Sequence, residues 1–157
     1  MSHPIHPMVV HFPIALLFTS VFFDLLGIIK KDKNFDQTGS WLLVLGLLGG
    51  VVAAIFGAWS EDVVKEAGIP ESAIDLHETL AYVTIAAFGV LLLFRWWARK
   101  RWSVRDRVVY LCGAALGLLL LSMTGFYGGN LVYEYGAAVK LPASSMTTAP
   151  ATEISPP

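Results

Sequence analysis

Four histidines, His3, His6, His11 and His77, are the residues of this chain whose type and spacing best suit them to bind something. Neutral imidazole is the commonest protein ligand for transition metals. Three of the four fall within the nine residues His3-Pro4-Ile5-His6-Pro7-Met8-Val9-Val10-His11. Pro4 and Pro7 bias the residues before them away from helical dihedrals, so this segment reads as extended. A stiff segment also loses less entropy when His3 and His6 converge on a ligand. Pro13 suits the first turn of a following helix, where its missing N–H is harmless, and that puts His11 near the N-cap. The competing reading is that these imidazoles are interfacial and solvated by lipid headgroups.

The elements that position the histidines are set by hydrophobicity. The chain has 157 residues, 55% hydrophobic and 15% charged, with a mean hydropathy of +0.63, too apolar for a soluble domain of this size. A membrane-spanning helix needs about 20 mostly apolar residues. Four windows qualify, 9–29, 40–59, 76–94 and 108–127. The expected fold is therefore all-α, an integral membrane four-helix bundle occupying residues 1–141. The Ser/Thr/Pro/Ala-rich segment 142–157 reads as a disordered external tail. The start of the chain lacks the basic region and small-residue cleavage site of a signal peptide, so the first stretch reads as a retained helix. A net charge of -1 argues against nucleic-acid binding through a basic field.

Orientation follows from the basic residues. Lys30, Lys31 and Lys33 lie in the first loop and Arg95, Arg99, Lys100, Arg101, Arg105 and Arg107 in the third, whereas the second loop has Lys65 and the C-terminal segment Lys140. The positive-inside rule then puts loops one and three in the cytoplasm and both termini outside. For a bacterial inner-membrane protein, outside is the periplasm. This topology gathers all four histidines at the outer surface, with Glu61, Asp62 and the segment Gly128 to Gly136. The inner end reads as a solvated basic face anchored by Trp96, Trp97 and Trp102.

Two imidazoles from facing helices suit b-type haem in an apolar slot. His11 and His77, both at helix openings, form the simplest axial pair, His6 competes with His11, and four histidines could serve one haem or two. Copper or zinc is the alternative cofactor, with Glu61, Asp62, Asp75 and Glu78 on the same side. Asp75 and Glu78 also read as first-turn acids stabilising the N-terminus of the third helix. No HExxH or CxxC pattern is present, and the absence of CXXCH excludes covalent c-type attachment. Cys112 reads as a small residue facing lipid or core. Glycines and alanines in the second and fourth stretches read as ordinary close helix packing that also permits a flat cofactor. Asp24 lies about 20 Å from His11 along a helix, towards the inner leaflet, where a loop-one lysine would pair with it or a proton relay would use it. Gly125 to Gly136 reads as a glycine stop followed by a lid over the bundle mouth, with Tyr133 and Tyr135 on a haem propionate or in the interfacial belt.

The HPxHPxxVHFPIAL opening, His77 and the GGNLVYEYG segment resemble the bacterial membrane family called domain of unknown function 2231, over roughly His3 to Val139. That resemblance implies a four-helix inner-membrane protein with a suspected haem or redox association, His3, His6 and His11 matching the family's opening and His77 its third-helix histidine. The family often closes its second helix with a Gly-x-x-Asp-Trp-like pattern. Here Gly57-Ala58-Trp59-Ser60-Glu61-Asp62 shifts that order, so the resemblance assigns no acidic role there.

The function expected is a b-type haem electron-transfer protein with bis-histidine ligation, a redox carrier or subunit rather than a stand-alone enzyme. Its partners would be the lipid bilayer and a quinol-linked protein or periplasmic cytochrome. The alternatives are a copper- or zinc-binding membrane protein and a structural subunit of a larger membrane complex.

Overall fold

The structure, a computed structural model, describes residues 5–66, 68–98 and 102–137, except the side chains of Ile5, Asp62, Val63 and Glu66. His3 and the segment 142–157 lie outside the described residues. Five helices follow in order, α1 (Ile5–Val9), α2 (His11–Lys30), α3 (Lys33–Glu66), α4 (Glu71–Ala98) and α5 (Val104–Tyr133). Four segments, His6–Lys30, Lys33–Glu61, Glu71–Ala98 and Val104–Tyr133, are long and apolar enough to cross a membrane. The first joins α1 to α2 through Val10, whose dihedrals are helical.

Each span extends beyond its apolar window. Hydropathy detects only the stretch matched to hydrocarbon, whereas backbone hydrogen bonding has no reason to stop at the interface and continues into polar residues. The helix that opens at Lys33 is helped by the Asp32 carboxylate, which accepts from the Asn34 N–H at 2.8 Å. At the opposite end, Gly125, Gly128 and Gly129 do not stop α5, which runs on to Tyr133. The chain turns only at Gly136, whose φ of 71° favours glycine. Leu131 and Ala137 there pack on Ile69 and Ile74 at the turn between α3 and α4. The expected lid is thus a helical end folded onto that turn, and Tyr133 is 91% exposed.

Two further corrections concern the histidine end. Residues 5–9 are helical rather than extended, because a proline within a helix's first turn sacrifices no hydrogen bond, and Pro7 holds such a position in α1. The third spanning helix opens at Glu71, so Glu71 is its first-turn acid. Asp75 and Glu78 lie beyond that first turn and do not serve as its terminal acids.

The helices pack as a ring, α2 closely on α3 and α4 closely on α5, with α3 meeting α4 and α5 meeting α2. Small residues allow the close approach. A Cβ on Gly46 would stand 2.8 Å from the Leu17 side chain, and one on Gly113 2.9 Å from Leu91. The enclosed core is Leu17, Leu43, Phe88, Leu91, Tyr110, Ala114 and Leu121. Most remaining large apolar side chains, Phe18, Leu48, Leu93 and Leu119 among them, face outward, as lipid-facing residues must. Cys112 is among the outward-facing residues.

Local devices fix the turns. Lys65 bridges Glu61 at 2.7 Å and Glu71 at 3.1 Å, tying the end of α3 to the start of α4, and these bonds raise the pKa of its ammonium. Ser103 caps α5, accepting from the Asp106 N–H at 3.1 Å while the Asp106 carboxylate accepts from the Ser103 N–H at 3.0 Å. Ser103→Ala removes the cap and is expected to cost about 1 kcal/mol in reversible unfolding from mixed micelles.

Candidate functional site

The histidine end brings together two of the three described imidazoles. His6, on α1, directs Nδ1 at the Ala53 carbonyl of α3, 2.8 Å away, and His77, on α4, directs Nδ1 at the Thr124 carbonyl of α5, 3.1 Å away. A carbonyl only accepts, so each ring carries its proton on Nδ1 and keeps the lone pair of Nε2 for another partner. The two rings meet edge to face, centroids 6.1 Å apart and planes at 81°. They span the seam between the α1–α3 and α4–α5 sides of the bundle.

Glycines hold both rings flush against helix backbone. A Cβ on Gly57 would come within 3.2 Å of the His6 ring, and one on Gly128 within 2.8 Å of His77 Cε1. Thr124 continues the polar lining inward, its hydroxyl 2.9 Å from that of Thr84. Below Thr84 the core is apolar around Phe88.

His11 stands apart from this pair. It is exposed and donates from Nδ1 to the Pro7 carbonyl at 2.9 Å. Packing therefore pairs His77 with His6, the competitor, instead of with His11. Val10 keeps helical dihedrals, so His6 and His11, five residues apart, point about 140° apart around one helix and meet different neighbours.

The most connected polar cluster lies at the other end, about 27 Å along α4 from His77. Asp24 of α2 is buried and accepts from Arg95 Nη1 of α4 at 2.5 Å and from the Tyr110 hydroxyl of α5 at 2.6 Å. Arg95 also donates from Nε to Ser40 Oγ of α3 at 2.7 Å, and from Nη2 to the Asp36 carbonyl. One ion pair thus ties together all four spanning helices. Gly39 makes room for it, since a Cβ there would collide with Asp24 Oδ1. The loop-one lysine expected beside Asp24 is not its partner. Arg95, whose side chain is 11% exposed, leaves the solvated basic face to fill that role, because a buried carboxylate needs a partner at its own depth. Trp102 and Tyr110 flank the guanidinium with ring centroids at 5.9 and 5.4 Å.

Two cavities, of about 390 and 560 Å³, open at this basic end, and neither is lined by histidine. Among the described residues, no three His, Cys, Asp or Glu side chains are grouped to hold a metal ion.

Four spanning helices, with an imidazole pair at one end and a buried ion pair at the other, define a polytopic helical membrane protein. The chain belongs to the family described as predicted membrane protein DUF2231, whose pattern matches residues 2–141. Neither the curated proteins nor the solved structures include a significant match.

Proposed function

We propose that the chain binds b-type haem between His6 and His77 and serves as an electron-transfer component of a bacterial inner membrane, with its termini in the periplasm. The observation that carries this reading is the His6–His77 pair, with tethered Nδ1 atoms and a centroid spacing of 6.1 Å. Each ring would offer its free Nε2 from opposite sides of one seam, the two-imidazole donor set that b-type haem uses. The donor set favours haem in this reading. A porphyrin supplies four nitrogens of its own, so two imidazoles complete six-coordinate iron, whereas a bare zinc or copper ion needs more protein ligands than the described residues group together. Bound haem would supply one-electron redox chemistry. The protein's own contribution is to fix both imidazoles through Ala53 and Thr124, a hydrogen-bonded arrangement characteristic of metal-binding histidines. The remaining outward surface suits lipid and a membrane-embedded or periplasmic redox partner.

Protein purified in mild detergent from haem-replete cells should carry about one haem per chain by pyridine haemochrome assay, with a Soret band that sharpens on dithionite reduction. A colourless preparation would overturn the reading.

A further inference from the structure

The two cavities at the basic end share a wall of Lys33, Asp36, Arg107 and Ile28. Their charges do not cancel. Asp24 is neutralised by Arg95, which leaves Lys31, Lys33 and Arg107 around the cavities against the single carboxylate of Asp36. Lys33 and Arg107 form no ion pair with any described residue; Arg107 instead lies over the Trp102 ring, 5.9 Å from its centroid. Val104, Val108 and Leu111 of α5 form an apolar wall continuing from these cations towards the bilayer interior. Cations at the interface above an apolar wall match the two halves of an anionic lipid, and basic pockets between spanning helices bind such headgroups.

We propose that the adjoining cavities bind an anionic glycerophospholipid, its phosphate between Lys33 and Arg107 and an acyl chain along Val104, Val108 and Leu111. The apolar wall selects a lipid over a free phosphate, which has nothing to place there. The cavity lies at a fixed point of the bundle, beside the ion pair that joins all four helices. A lipid bound there would seal the cleft between α2 and α5, which pack on each other far less extensively than α2 does on α3.

The test uses the full chain in mild detergent, titrated with phosphatidylglycerol, phosphatidylcholine or inorganic phosphate and read by native mass spectrometry. Phosphatidylglycerol should be retained at least tenfold more strongly than phosphatidylcholine. Each neutralised interfacial cation is worth about fivefold, so Lys33→Gln with Arg107→Gln should weaken phosphatidylglycerol retention about 25-fold. Lys30→Gln with Arg105→Gln removes the same charge from the same end but outside the cavities, and should change retention less than twofold. Circular dichroism and monodisperse elution report folding, and should the first pair not fold, the single variants carry the test at about fivefold each. Equal retention of both lipids would overturn the proposal. So would equal losses in the two double variants, which would mark a diffuse surface field, or displacement of the lipid by equimolar inorganic phosphate.

Discussion

Replacing Arg95 by leucine is expected to destabilise the fold by about 3–5 kcal/mol, because it leaves the Asp24 carboxylate buried without its counter-charge. Asp24→Leu should cost a similar amount by stranding the guanidinium, whose remaining bonds to Ser40 and the Asp36 carbonyl supply no negative charge. The side chains are 11% and 3% exposed, so solvent offers neither charge much relief. The double variant removes both charges at once and should lose less than the sum of the single losses by about 1–3 kcal/mol, the coupling expected of residues in direct contact. Reversible unfolding of all three variants in mixed micelles measures this. Strict additivity would mean that the pair does not act as a unit, and that the convergence of four helices on Arg95 is incidental.

The second large effect concerns a single glycine. Gly128→Val should weaken haem binding about 10–100-fold, the usual penalty for disturbing the groups that orient a metal-binding histidine. A Cβ at residue 128 would stand 2.8 Å from His77 Cε1 and 3.2 Å from Nδ1, so the ring must leave the Thr124 carbonyl that orients it. Gly129→Val is the matched control. It makes the same change one residue along the same helix, where a Cβ meets nothing within 4 Å. Both variants pay the same helix-propensity cost, and their difference in haem content isolates the contact with His77. Similar haem content in the two proteins would mean that His77 is not held for ligation.

The sequence makes the four spans legible because hydrophobic length is a local property. It also marks Asp24 as an anomaly, since a lone carboxylate in an apolar helix needs an explanation wherever it sits. Its partner was not legible. Lys30, Lys31 and Lys33 are near in sequence, whereas Arg95 is 71 residues away and falls one position past the apolar window of its helix. A window of hydropathy assigns such a residue to the loop, although the helix carrying it continues to Ala98. His6 was obscured by prolines. Pro4 and Pro7 read as extended backbone, but a first-turn proline is equally at home in a helix, and only packing of α1 on α3 chooses between the two. Glycines misled in the opposite direction. Gly128 reads as a stop signal, and in the structure it is helical and gives His77 its place. In each case the deciding contact joins different helices, information that periodicity along one helix does not contain.

The proposed haem site comprises His6 and His77 and leaves out His11. Its most direct measurement is the reduced-minus-oxidised absorption spectrum of His6→Ala, His77→Ala and His11→Ala, purified alongside the parent protein from haem-replete cells. The six-coordinate haem signal should disappear in the first two and persist near parental intensity in the third. Loss of the signal in His11→Ala with retention in His6→Ala would contradict it, as would a signal that survives in all three.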